Sequence, residues 1–120
     1  MIIHESAEDY LEAMLMLQEE YGYIRSVDIA QKLGVTKPSV SYAVKNLKES
    51  GYISMENGGH IKLLEPGYKI AKSILNRHET IKKFLMDLGV SEDNAEKDAC
   101  KMEHDLSQES FRAICKHANN

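Results

Sequence analysis

The stretch "SVDIAQKLGVTKPSVSYAVKNLKES", residues 26–50, decides the fold. Its first eight residues place Val27, Ile29, Ala30 and Leu33 at helical spacing, with Ser26 as the predicted N-cap. Gly34 follows in the position where a left-handed residue is tolerated best. Thr36 then caps a second helix, with Pro38 in a first turn whose N–H groups have no helical partner anyway. Val40, Val44 and Leu47 form its apolar stripe, and Gly51 ends it. Two short helices joined through a glycine are a helix-turn-helix outline. Directly after it, "YISMENGGHIKLL" (52–64) sets two apolar stretches around Asn57-Gly58-Gly59, residues that accept positive φ and so favour a hairpin. A hairpin placed there makes the element a winged helix.

Helices are predicted on both sides. Leu11, Met14, Leu15 and Gln18 have helical spacing from Ser6, the predicted cap, to about Glu20, and "YGY" at 21–23 breaks the run. On the other side, "EPGYKIAKSILNRHETIKKFLMDLG" (65–89) carries Ile70, Ile74, Leu75, Ile81, Phe84, Leu85 and Leu88, which predicts one long helix up to Gly89. Ser91 caps a further helix to about His104, and Ser107 a last one to about His117. There is no Gly/Ser/Pro linker and no internal repeat. The expected fold is mostly α: a winged helix-turn-helix over 1–64 with a small β-hairpin wing, then an all-helical domain over 65–120. The apolar positions of the last two helices, Ala95, Ala99, Met102, Phe111 and Ile114, are the expected dimer surface.

Composition narrows the function. The chain has 120 residues, of which 42% are apolar and 28% charged, enough for a core that is mostly aliphatic, with no Trp and two Phe. No apolar run is long enough to span a membrane, and "MIIHESAEDY" turns acidic without the basic start of a signal peptide. Cys100 and Cys115 do not make a disulfide framework, so the chain reads as cytoplasmic with reduced thiols. The net charge of −4 hides an asymmetry: Ile24 to Lys62 holds six Lys/Arg against three Asp/Glu, a balance of +3, which leaves −7 elsewhere. A basic segment in an acidic chain points to a polyanion for one part and cations for the other.

A recognition helix offers its N-terminal residues to base edges in the major groove. Here these are Thr36, Lys37, Pro38, Ser39, Ser41 and Tyr42. Hydroxyls bond either base type, and apolar methylenes suit thymine methyls. Lys45 and Lys48 further along, Arg25 before the first short helix, and His60 and Lys62 on the wing are placed for phosphates. No Arg or Gln on the helix is suited to bidentate base reading, so affinity is expected chiefly from phosphates and specificity partly from DNA shape. The plainer reading is a winged helix used for protein contacts.

"DACKMEHDL", residues 98–106, sets Cys100, Glu103 and His104 at i, i+3 and i+4, on one side of a helix. Thiolate, carboxylate and imidazole are donors that a divalent transition metal accepts. Asp9 and Glu12 form a second i, i+3 pair on the first helix, and His78 adds an imidazole. Plainer readings exist for each. Asp9 could complete a capping box with Ser6, Glu12 and His78 could be surface residues, and Cys100 a small core side chain.

These stretches resemble the diphtheria-toxin-repressor family of metal-dependent repressors, including its manganese transport regulators. The resemblance runs over nearly the whole chain and rests on "DYLE" (9–12), "RHE" (77–79) and Cys100-x-x-Glu103-His104. It implies a winged-helix domain, a helical metal-binding and dimerisation domain, and repression of metal-uptake genes when metal is replete. It further implies the ligands Asp9, Glu12, His78, Cys100, Glu103 and His104, with a manganese-type pair of ions sharing Glu103. Asp9 matches the manganese-type members and Cys100 the iron-type ones, and a thiolate favours iron, cobalt or zinc over manganese. The expected cofactor is thus Mn(II) or Fe(II), with Co(II) or Zn(II) possible in vitro. Lys82 and Glu96 stand where the iron-type members carry further ligands, so their ancillary site is not expected, and length leaves no room for the third, SH3-like domain of larger members. Cys115 matches no ligand position and is read as packing.

The implied mechanism is a clip. An ion between Asp9–Glu12 and the Cys-Glu-His cluster would hold the two domains, so that a homodimer presents its recognition helices about 34–36 Å apart on operator DNA. The alternative is a metal-independent winged-helix regulator answering a small molecule or thiol oxidation at Cys100. No spare general base in a glycine-framed loop and no phosphate-binding glycine motif is present, so the chain does not read as an enzyme.

Overall fold

The computed structural model describes residues 5–118. The outer ends of both expected domains lie outside the described residues. Among these there are six helices and three strands: α1 (Glu5–Tyr21), β1 (Ile24–Arg25), α2 (Ser26–Leu33), α3 (Lys37–Glu49), β2 (Ile53–Met55), β3 (His60–Leu63), α4 (Glu65–Asp87), α5 (Glu92–Asp105) and α6 (Gln108–Ala118). The chain divides into two compact units, Met1–Lys72 and Ser73–Asn120, and α4 contributes to both.

In the first unit, α1, α2 and α3 pack on one another. Ile29 on α2 and Val40, Val44 and Leu47 on α3 are buried, the stripe that the spacing predicts. Gly34 takes φ 68°, and the Val35 N–H bonds back to the Ala30 carbonyl at 3.1 Å, so the turn closes as a left-handed cap. Thr36 caps α3: its Oγ1 accepts from the Ser39 N–H at 3.2 Å. Two other predicted caps are corrected. Ser6 lies inside α1, which begins at Glu5, so it cannot complete a capping box with Asp9. Ser26 is the first residue of α2, and the cap position is Arg25, extended and without a side-chain capping bond.

The wing is a three-stranded antiparallel sheet, in the order β1-β3-β2. β2 and β3 are the predicted hairpin, closed by a 2.7 Å bond from the Glu56 N–H to the His60 carbonyl. β1 was not expected. It is two residues long, too short for any periodicity, and exists because Ile24 and Arg25 pair with Ile61 and His60. Ile24, Ile53 and Ile61 point into the core while His60 and Lys62 face outward. Gly67, in the first turn of α4, fits where a Cβ would collide with the Tyr52 carbonyl, so the wing and the start of α4 approach more closely than any other residue allows.

In the second unit, Ile81, Ala99 and Phe111 form a buried cluster against which Leu85, Met102, Leu106 and Cys115 pack. This corrects the expected dimer surface in part: Ala95, Ala99 and Phe111 are buried within the chain and not open to a partner, Ala99 and Phe111 in this cluster, while Met102 and Ile114 are half-buried. Amphipathic spacing shows that a helix buries a face, not which molecule covers it. Cys115 packs as expected. The caps Ser91 and Ser107 are present, accepting from the Asn94 and Ser110 N–H groups at 3.4 and 3.0 Å. α4 stops at Asp87, two residues before Gly89. No helix among the described residues is long and apolar enough to cross a membrane.

Candidate metal centre and nucleic-acid face

The metal-ligand candidates of the second unit come from α4 and α5. The i, i+3, i+4 spacing puts Cys100, Glu103 and His104 on one side of α5. Glu103 is wholly buried, with 0% of its surface exposed, and Cys100 is exposed. His78, on α4 and only 7% exposed, brings its Nδ1 to 3.0 Å from Glu103 Oε2. His104 Nε2 lies 3.3 Å from the other oxygen, Oε1. The structure thus brings three of the predicted residues together, a carboxylate between two imidazoles.

An ionised carboxylate removed from water needs compensating positive charge. Part of it comes from His78, whose ring the Glu103 hydrogen bond, aided by Glu96, raises to about 9 against the cost of burial. Glu103 Oε1 receives no hydrogen bond of good geometry among the described residues, although His104 is near. A buried carboxylate oxygen facing an imidazole nitrogen is a donor set that fits a divalent cation. Asp9 and Glu12 lie in the first unit, three residues apart on α1, with Asp9 half-buried and Glu12 buried.

Three residues that the sequence did not flag as active shape this cluster. Glu96 Oε1 lies 2.9 Å from His78 Nε2, and Lys82 Nζ lies 3.0 Å from Glu96 Oε2. Burial opposes ionisation of Glu96, yet Lys82 and His78 hold its carboxyl below the usual range. Arg77, beside His78, donates from Nη1 to the Glu103 carbonyl at 2.7 Å and from Nη2 to the Leu106 carbonyl at 3.0 Å, and its guanidinium lies 4.8 Å from the centre of the Phe111 ring. It thereby satisfies carbonyls at the end of α5 that lack helical partners. The available signal was the one-turn spacing of His78 and Lys82 on α4 and of Glu92 and Glu96 on α5.

The nucleic-acid candidates of the first unit are exposed. Thr36, Lys37, Pro38, Ser39, Ser41, Lys45 and Lys48 all face solvent, and Tyr42 is 70% exposed, far more than an aromatic ring needs for its own fold. The Thr36 hydroxyl is committed twice: it accepts from the Ser39 N–H and donates to Ser39 Oγ at 2.9 Å. That leaves the Ser39 proton for an outside acceptor. Arg25 lies on β1, its Nε bonded to Asp28 at 3.1 Å and its guanidinium 5.4 Å from the centre of the Tyr23 ring, which in turn stacks on His60 at 5.4 Å. Among the described residues its two terminal nitrogens form no hydrogen bond, and exposed His60 and Lys62 lie on the neighbouring strand.

The sequence matches two family models: the N-terminal DNA binding domain of the iron dependent repressor over residues 3–61, and the metal binding and dimerisation domain of the iron dependent repressor over residues 64–120. The chain is 39% identical to the transcriptional regulator MntR of Salmonella typhimurium, over 92% of this chain and 70% of that protein. Among solved structures, the manganese regulator SloR superposes with a TM-score of 0.82 at 29% identity, over 99% of this chain. A manganese-dependent transcriptional repressor in complex with manganese gives 0.86 at 25% identity over 94% of it. The chain spans only 55% and 52% of those two solved chains. Matches over residues 3–61 and 64–120, with a helix-turn-helix, a wing and a helical unit, lead to one conclusion: the chain belongs to the iron-dependent repressor family of metal-dependent transcriptional regulators.

Proposed function

We propose that this protein is a transcriptional repressor that binds operator DNA as a homodimer when loaded with Mn(II) or Fe(II), and so controls metal-uptake genes in the cytoplasm. It is a regulator rather than an enzyme, with 1–64 as the reading head and 65–120 as the metal-binding and dimerisation part. The observation that carries the reading is the wholly buried Glu103 between His78 and His104, on a chain whose α3 turns its hydroxyls and lysines to solvent.

The ligands are Asp9, Glu12, His78, Cys100, Glu103 and His104, an assignment that follows from the sequence match and the chemistry of the donors. A bound divalent ion supplies positive charge to this carboxylate-rich donor set and so offsets acidic charge that opposes phosphates. Thr36, Lys37, Pro38, Ser39, Ser41 and Tyr42 meet base edges, while Arg25, Lys45, Lys48, His60 and Lys62 meet phosphates. Metal and DNA must then tighten each other's binding by the same factor. Cys100 tilts the donor set toward Fe(II), with Co(II) and Zn(II) able to substitute in vitro.

The test is selection of bound sequences from a random duplex pool with Mn(II), followed by anaerobic titration of Mn(II), Fe(II), Co(II) and Zn(II) against the selected duplex at fixed salt. Retention that needs metal supports the reading. Retention that ignores metal and follows oxidant would favour the rival in which Cys100 is a redox switch.

A further inference from the structure

Within the helical unit, His78 uses both ring nitrogens. Nδ1 faces Glu103, the buried carboxylate of the proposed donor set, and Nε2 faces Glu96 at 2.9 Å. Glu96 belongs to no proposed ligand set, and its side chain is 47% exposed. It is nevertheless fixed: Lys82 Nζ holds its second oxygen at 3.0 Å and also lies 3.6 Å from Glu92. The result is a row running Lys82, Glu96, His78, Glu103, carried on α4 and α5 alone.

A neutral imidazole has one N–H and one lone pair. The nitrogen that binds an ion must offer the lone pair, so the proton belongs on the other, where it needs an acceptor. Glu96 Oε1 is that acceptor at Nε2. The ammonium of Lys82 beside its other oxygen also repels a divalent ion, which argues against Glu96 as a ligand itself.

We propose that Glu96, anchored by Lys82, is a positioning residue that keeps the His78 proton on Nε2 and turns the Nδ1 lone pair to the metal ion. This rests on the metal reading above and adds to it two residues that do not touch the ion. Lys82 thereby does with a fixed ammonium what an added cation would otherwise do, holding Glu96 in place.

The test uses the full chain loaded with ¹¹³Cd(II), with histidine labelled by ¹⁵N. The wild type should show cadmium coupling at Nδ1 of His78 and a bonded proton at Nε2. Glu96→Ala should lose about 10–100-fold in cadmium affinity and, with the metal removed and the pH above about 9 so that the ring is neutral, show both tautomers where the wild type keeps its proton on Nε2, while Glu96→Gln, which keeps an oxygen acceptor, should recover the Nε2 proton and much of the affinity. Lys82→Met should weaken binding less than Glu96→Ala. Coupling at Nε2 in the wild type overturns the proposal, as does a Glu96→Ala protein with wild-type affinity and a single Nε2–H tautomer. A drop in affinity with no change of tautomer overturns it too, because a merely structural role would do that. If the wild type binds no cadmium at all, the metal reading falls first and this inference falls with it.

Discussion

The face of α3 and the cluster around Glu103 use polar groups in opposite ways. On α3, hydroxyls and ammoniums stand in water, and one helix with its own cap sets their positions. Around Glu103 a carboxylate sits out of water, and the imidazole that answers its charge comes from a residue 25 positions earlier on another helix. An exposed polar face costs little to keep and is spoiled little by any one change. A buried charged cluster is stable only as a set, so losing one member strands the others. The two regions should therefore differ sharply in how they respond to substitution.

The largest effect is expected at Glu103. Glu103→Gln keeps the shape but removes the charge on which His78 and His104 converge. Metal-dependent retention of DNA should fall by more than the roughly 10–100-fold that outer partners of a metal site cost, with helix content by circular dichroism unchanged. A Glu103→Gln protein that still requires Mn(II) and responds to it as the wild type does would sink the assignment of the centre.

Next comes pH, for the metal-free protein. The ring of His78 is raised from its ordinary 6.5 to about 9, first by Glu103, then by Glu96. A group whose folded value is raised stabilises the fold fully below its unfolded value, and that contribution is lost as pH climbs through the folded one. The His78 contribution should be complete below about pH 6.5 and gone above about pH 9, with an upper bound of roughly 3 kcal/mol. Urea unfolding of wild type and His78→Gln with chelator present, at the two ends of that window, measures it. The gap between the two proteins should close as pH rises, and a gap that widens contradicts the charged bridge.

The same contrast separates what was legible in the sequence from what was not. Thr36, Pro38, Gly34 and the Val40–Val44–Leu47 stripe act within one or two turns, so their spacing alone sets α2, the turn and α3. Cys100, Glu103 and His104 are on one helix and announced a face of donors for the same reason. Glu96 stood in the sequence only as a departure from the iron-type ligand pattern: its role comes from His78 and Lys82 on α4, and the one-turn spacings that bring them together do not by themselves say which helix faces which. β1 is defined wholly by its partner strand. Ala95, Ala99 and Phe111 were legible as buried, but periodicity does not say whether a subunit's own helices or a second subunit's cover them.

Gly67 sharpens the comparison from the side of packing. Gly67→Ala places a methyl on the Tyr52 carbonyl, a backbone atom that cannot swing away. The start of α4 must shift from the wing, at about 1–3 kcal/mol, the usual range for overpacking. A thermal melt should show the loss, and crystal structures should show wing and helix start displaced. An alanine protein as stable as the wild type would mean that the close approach is not rigid.

The smallest effects belong to α3, and a pair of substitutions there separates charge from position. Lys48 stands exposed in the last turn of α3, and among the described residues no ion pair engages its ammonium. Lys48→Ala should leave stability alone and make the plot of log affinity for DNA against log salt shallower by about 1, the signature of one lost phosphate contact. Thr36 holds the first turn through its bond from the Ser39 N–H. Thr36→Ala should cost about 1 kcal/mol of stability and weaken DNA binding without changing the salt slope, because no charge has been removed. If Lys48→Ala leaves the slope unchanged, the phosphate role of this helix end is wrong. If Thr36→Ala changes it, the hydroxyl at the start of α3 positions charged side chains as well as the backbone.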